Sequence, residues 1–242
     1  EYIEISHLFS QWGATMAPKI MGEKDGQLVQ LFGWDTDATG PEYRDFMHQF
    51  LTSLTRELEK LGIADKTYFH VSDEPTDEQF ESYKAAKEMV EKDLKGYQMI
   101  DALSSYGFFE KGVVSQPICS VDHIQPFLEK RPEKLWGYYC TAQYLDVSNR
   151  FIAQPGYRTR ILGTQLYKYQ LDGFLHWGYN FWYTQHSRGL IDPYQVTDAG
   201  RAFPGGDPFS VYPGPDGPIP SLRLKVFHQA LQDQRALELL DL

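Results

Sequence analysis

A chain of 242 residues is long enough to bury a full hydrophobic core and has the size at which one barrel or one large α/β unit is usual, so a single domain over residues 1–242 is the simplest reading. With 42% hydrophobic and 23% charged residues the composition is that of an ordinary globular chain, which excludes a disordered tail or a fibrous repeat. A net charge of −10, with Lys and Arg scattered along the chain, argues against nucleic acid as a partner, and no apolar run approaches the ~20 residues that span a bilayer.

Glu1 rather than Met leads straight into Tyr2-Ile3-Glu4-Ile5, so the start reads as a cut or processed end, without the basic, apolar and small-residue pattern of a signal. Residues 2 to 9 predict a strand. A Gly-rich polar stretch runs to Gly40. Pro41 then opens a helix in which Tyr43, Phe46, Met47, Phe50, Leu51, Leu54, Leu58 and Leu61 recur at helical spacing, with Gly62 to end it. Lys66 to Ser72 predicts the next strand, and Asp73-Glu74-Pro75 stands at its C-terminal end. Thr76 followed by Gln79 has the capping-box spacing, so a second helix is expected to about Leu94. Gln98 to Leu103, Gly112 to Cys119 and Leu135 to Cys140 read as short strands. A helix from about Tyr157 to Tyr169 leads into Gly173 to Trp182, a buried strand ending in polar and aromatic groups. Residues 184 to 220 are rich in Gly, Pro and Asp and too long for a plain connection, and loops of that length usually cover a site. Ser221 begins a final helix to about Leu240.

Alternating strands and helices predict an α/β fold with a parallel sheet. About six strand candidates fall short of the eight in a (β/α)8 TIM-type barrel. The expectation is therefore such a barrel, incomplete at its N-terminal side, with one or two strands preceding Glu1. An open doubly wound sheet is the alternative, but its Gly-rich phosphate turn has no counterpart here.

The strongest local signal is Tyr68-Phe69-His70-Val71-Ser72-Asp73-Glu74-Pro75. Adjacent carboxylates raise each other's proton affinity, which suits a general acid. Glycosidic cleavage needs a protonated carboxyl for the leaving oxygen and a negative group for the cationic centre. The plain structural reading is a helix-initiating turn, since acids favour helix N-termini. Aromatic residues at 15% offer faces that grip sugar rings, and equally a large core. His7, His70, His176 and His186 with Asp73 offer a metal alternative, but no pair has helical ligand spacing and no metal or other cofactor is expected. Cys119 and Cys140 are too few and too distant for a metal cluster and read as buried thiols, free or bridged. Asp122, Asp146 and Asp192 follow strands or lie in loops, and sequence does not separate a site role from a solvated one.

Taken in order and spacing, Ile5-Ser6-His7-Leu8-Phe9 with Trp12-Gly13, His70 to Pro75, Trp177-Gly178-Tyr179-Asn180, Gly205-Gly206-Asp207-Pro208, Tyr212-Pro213-Gly214 and Ser221-Leu222-Arg223 resemble the catalytic domain of glycoside hydrolase family 123, the β-N-acetylgalactosaminidases. The resemblance covers nearly the whole chain. It departs from the family in lacking the preceding barrel strands and an N-terminal β-sandwich, and in having Asp233-Gln234-Arg235 in the final helix. It implies a carbohydrate substrate whose own 2-acetamido oxygen attacks the anomeric carbon with net retention, Asp73 orienting the acetamide and Glu74 acting as acid and then base. Around that pair, Trp177 and Trp182 are expected as ring-stacking walls. Tyr139, Tyr179 and Asn180 are expected as hydrogen-bond partners of the sugar, with His7, Trp12 and His70 also substrate-binding or orienting. For each, a core aromatic or a satisfied polar group is the competing reading. The functional alternatives are a non-catalytic carbohydrate-binding barrel and a metal-dependent barrel hydrolase.

Overall fold

In chain order the strands are β1 (Ile3–Glu4), β2 (Ile20–Lys24), β3 (Gln27–Phe32), β4 (Thr67–Phe69), β5 (Gln98–Leu103), β6 (Gln116–Ser120), β7 (Trp136–Tyr138), β8 (Gly173–Leu175), β9 (Val211–Gly214) and β10 (Gly217–Pro220). The α-helices are α1 (Pro41–Lys60), α2 (Phe80–Val90), α3 (Gly107–Glu110), α4 (Gln125–Glu129), α5 (Tyr157–Lys168) and α6 (Leu222–Leu240). The computed structural model describes residues 2–241, so Glu1, read from sequence as a cut end, and Leu242 lie outside the described residues. Two compact units divide the chain, Glu1–Ile118 and Cys119–Leu242.

The expected (β/α)8 TIM-type barrel is corrected to an α/β fold with one six-stranded sheet, in the order β1-β4-β5-β6-β7-β8. Alternation of elements counts strands but says nothing of closure, which requires the first and last strands to share hydrogen bonds. Among the described residues β1 and β8 end the order and are not paired with each other. Helices are also fewer and shorter than the eight-fold pattern demands, α3 and α4 being about one turn each.

Within the first unit β1, β4 and β5 pair in parallel, with Ile3 opposite Thr67 and Tyr68 opposite Gln98. The predicted strand over residues 2 to 9 is shorter than expected, yet its backbone stays tied to the following segment. Ile5, Leu8, Phe9 and Trp12 donate their N–H groups to the carbonyls of Tyr68, His70, Val71 and Asp73. Helix α1 matches its forecast: Pro41 sits in the first turn, where a missing N–H costs no helical bond, and Tyr43, Met47, Leu51 and Leu58 form the buried stripe. The hairpin β2–β3 was not foreseen in the polar stretch. Its turn is Asp25-Gly26, both at positive φ (53° and 76°), the geometry that matches the right-handed twist of the flanking strands.

In the second unit β7 and β8 pair in parallel, Gly137 opposite Phe174. Helix α5 lies where it was predicted and contacts α6, with the Arg160 guanidinium forked onto Asp233 at 2.7 and 3.0 Å. Asp233, which departs from the resemblance, thus joins two helices. The predicted strand to Trp182 stops at Leu175, and the run 184 to 220 closes on the hairpin β9–β10, which stands outside the six-stranded sheet. Ser221 caps α6 by accepting the Leu224 N–H at 3.1 Å, a contact worth about 1 kcal/mol. Cys119 is buried and Cys140 half-buried, with neither in a disulfide. No helix among the described residues is long and apolar enough to cross a membrane.

Candidate active site

In the first unit, the segment after β4 carries Asp73 and Glu74 and is tied by hydrogen bonds to the loop over residues 10 to 14. Ser72 Oγ accepts from the N–H groups of Gly13 (3.1 Å) and Ala14 (3.2 Å) and donates to the Ser10 carbonyl at 2.7 Å. Asp73 is held at both ends: its carbonyl accepts the Trp12 N–H at 2.9 Å, and its Oδ2 accepts from Gln11 Nε2 at 3.2 Å. The loop that supplies these contacts bends through left-handed backbone at Trp12 (φ 58°) and Ala14 (φ 56°). Gly13 between them has φ +96°, and a Cβ there would lie 2.4 Å from Gln79 Cβ, so no larger residue fits. Glu74 also has positive φ (39°), although it is neither Gly nor Asn and precedes Pro75. Such a conformation costs ~1–3 kcal/mol and persists where surrounding contacts over-determine it, commonly at functional sites.

The electrostatics come from a buried chain of polar groups. Asp101 on β5 is 1% exposed and accepts from the Tyr83 hydroxyl, from the Val71 N–H at 3.2 Å and from His70 Nδ1 at 3.2 Å. His70 Nε2 is 2.8 Å from a Glu4 carboxylate oxygen. Burial alone would depress the His70 pKa, but the two carboxylates overcome it and lift the value to about 9, so the ring is an imidazolium at neutral pH. The same pair lowers Glu4, chiefly through its hydrogen bond to His70. His7, whose ring centroid is 5.0 Å from that of His70, is lowered by burial and by its charged neighbour and stays neutral. Asp73 is raised to about 6, first by burial and then by the charge of Asp101, against the opposing pull of His70 and Gln11. A carboxylate that exchanges its proton near neutrality thus sits directly beside a second one.

His7, His70 and Asp101 bring three potential metal-ligand atoms within 4.8 Å of one another. Both nitrogens of His70 already face carboxylates, and a cation entering there must displace a proton held to about pH 9. His176 and His186, the other members of the metal alternative, belong to the second unit, His176 in a buried network and His186 exposed.

The second unit holds the remaining predicted residues. Tyr139 is fully buried, its ring 4.7 Å from that of Phe174, and burial raises its hydroxyl pKa. It lies in the core, not on a surface. Trp182 is half-buried and donates from Nε1 to the Val211 carbonyl at 3.0 Å. Tyr179 exposes its ring while its carbonyl accepts the Ser210 N–H at 2.8 Å, and Asn180 is exposed opposite Phe209 in an antiparallel bridge. Trp177, after β8, is 40% exposed and donates from Nε1 to Asp207 Oδ2 at 3.0 Å. Arg150 donates to His176 Nδ1 at 2.7 Å and to the Gly178 carbonyl. Burial, followed by the Arg150 charge, pushes His176 down to about 4.

Sequence reasoning found Asp73, Glu74, His7, His70 and Trp12, which the structure gathers in one unit. It missed Gln11, Glu4, Tyr83 and Asp101. Asp101 had a signal: an acid inside the otherwise apolar strand Met99-Ile100-Asp101-Ala102-Leu103 must find buried partners.

Residues 2–240 match the family model described as glycoside hydrolase 123, catalytic domain. No curated protein matches. Among solved structures the chain is similar to a family 123 glycoside hydrolase from Clostridium perfringens, studied for glycolipid glycan hydrolysis, with a TM-score of 0.69 and 18% identity. That likeness covers 94% of this chain and 41% of the other, and at such identity it speaks to the fold.

Proposed function

The chain belongs to the catalytic-domain family of glycoside hydrolase 123, and from that premise we propose that it hydrolyses a terminal β-linked N-acetylhexosamine, N-acetylgalactosamine first, with retention and through the substrate's own 2-acetamido group. In this reading the acetamide oxygen attacks the anomeric carbon while Glu74 gives its proton to the departing glycosidic oxygen. An oxazolinium ion forms, and the Asp73 carboxylate stabilises the positive charge developing on its nitrogen. Glu74, now a carboxylate, takes a proton from water as that water attacks the anomeric carbon and reopens the ring. No enzyme carboxylate is the nucleophile, so the separation of the two acids does not report stereochemistry here.

The observation that supports the reading best is Asp73 itself: tethered through its carbonyl and its carboxylate, partly desolvated, and raised to about 6. At neutral pH it is a poorly hydrated anion held in one place, which is what a cationic intermediate needs beside it. The test is a set of aryl glycosides differing in the C4 epimer and in the 2-substituent. The expected result is turnover of the 2-acetamido sugars, near-inert 2-hydroxy analogues, and rates that fall steeply with each fluorine placed on the acetyl group. A flat fluorination series with a labelled sugar trapped on an enzyme carboxylate would refute the mechanism. No turnover of any aryl glycoside would refute the glycosidase.

A further inference from the structure

Asp207 is wholly buried, and its carboxylate meets polar groups from two separate segments, Thr141 and the neighbours His176 and Trp177. Oδ2 accepts from Trp177 Nε1 at 3.0 Å and from the Thr141 hydroxyl at 2.8 Å, and Oδ1 lies 3.2 Å from His176 Nε2. The His176 tautomer follows from its other side. Its Nδ1 receives the Arg150 guanidinium at 2.7 Å and the Gly178 N–H at 2.9 Å, so Nδ1 carries no hydrogen and the ring proton sits on Nε2, facing Asp207. Gly178 completes the arrangement, because a Cβ there would come 2.4 Å from the Asp207 carbonyl oxygen.

Trp177 is the most exposed member of this set. Its ring rests near Phe203 (4.9 Å between centroids) and Phe181 (5.4 Å), while its N–H points inward to the buried carboxylate. Rotating the indole out would leave part of a buried carboxylate without its donor, and hydrogen bonds to charged groups are stronger than neutral ones. An exposed aromatic ring clamped in this way has already lost its rotamer freedom on folding. A pyranose stacking on it therefore avoids the cost of ordering that side chain on binding.

We infer that Asp207 is a positioning residue which locks Trp177 as a preset platform for a sugar ring and thereby sets substrate affinity without touching substrate. The inference rests on the glycosidase reading for its ligand class, while the lock itself is a property of the second unit.

The experiment follows the Trp177 indole N–H by nitrogen-15 NMR, its resonance identified by its disappearance in Trp177→Phe. In Asp207→Asn, whose amide cannot serve both Trp177 and the His176 N–H as acceptor, exchange of that indole proton should speed up at least tenfold. KM for an aryl N-acetylhexosaminide should rise about tenfold with kcat within about threefold. Trp177→Phe should raise KM similarly, and the double variant should add nothing further, since both changes remove one device. If Asp207→Asn does not fold, replacing Trp177 by 3-benzothienylalanine keeps the ring face, removes the N–H and should raise KM likewise. Unchanged indole exchange, additive effects, or a loss in kcat with KM intact would overturn the assignment. If the parent protein turns over no glycoside, the glycosidase reading fails but the lock is still read. N-acetylgalactosamine should then shift the Trp177 resonance in the parent and not in Asp207→Asn, and no shift in the parent overturns the platform.

Discussion

Replacing Asp73 by Asn should make the protein more stable at pH 8 while abolishing its activity. Folding raises the Asp73 carboxyl from 3.8 to about 6, and at about 1.4 kcal/mol for each tenfold change in proton affinity the ionised form is disfavoured by about 3 kcal/mol in the folded state. The sign follows from linkage. Below the unfolded value both states hold the proton and nothing is lost. Between about pH 4 and pH 6 the unfolded chain releases its proton first, so folding becomes steadily less favourable, and above about 6 the full penalty applies. Asn never ionises and escapes it. The gain should thus be near zero at pH 3.5, appear through pH 4 to 6, and level off above that, with about 3 kcal/mol as a ceiling because the amide keeps only part of the Gln11 contact. Urea unfolding of parent and variant at pH 3.5, 5, 6.5 and 8 reads this directly, with equal m-values required for the comparison. A variant no more stable than the parent at pH 8, or a gain independent of pH, would refute the claim that Asp73 is held against its own ionisation.

The acid limb of kcat/KM should fall near pH 6 as Asp73 takes up its proton. In Asp101→Asn it should move to lower pH, because the like charge of Asp101 raises Asp73 more strongly than the charge of His70 lowers it; an unmoved limb separates Asp101 from the reaction. Glu74→Gln should cut turnover of unactivated glycosides by about 10²–10⁴ yet spare formation of the intermediate from substrates with highly activated aryl leaving groups, a contrast visible in pre-steady-state bursts. Exhaustive chelation should leave activity unchanged, because the nitrogens of His70 are engaged by Asp101 and Glu4, and recovery of lost activity by added zinc alone would reverse that view. Cys119, buried and pushed up to about 12, should resist iodoacetamide at pH 8 until the chain is unfolded, as peptide mapping of the alkylated native protein would show.

The parts legible in the sequence were those with strong periodicity or local chemistry. Helix α1 announced itself through Tyr43, Met47, Leu51 and Leu58, and α6 through Ser221. Strand β5 has the expected bounds, Gln98 to Leu103, a mostly apolar run that is buried from Ile100 to Leu103. Closure of the sheet was not legible, since pairing between distant strands leaves no mark at single positions. The hairpin β2–β3 had a mark, the Asp25-Gly26 dipeptide, but its strands are mostly exposed and carry no clear alternation. At the site, Asp73 and Glu74 stood out as neighbours in sequence. Glu4, Tyr83 and Asp101 did not, because their relation to His70 exists only after β1, α2 and β5 have come together.

That last relation also bears on how the first unit comes apart. Tyr83 on α2, Asp101 on β5, His70 after β4 and Glu4 on β1 form one side-chain stitch that follows the backbone pairing from β1 through β4 to β5 and adds α2. Peeling away any one of these elements leaves a polar partner of His70 or Asp101 unsatisfied inside, so opening one element is disfavoured while the others stay closed. Amide hydrogens in β1, β4, β5 and α2 are therefore expected to exchange as a single cooperative block, whereas the hairpin β2–β3, outside the stitch, exchanges on its own and faster.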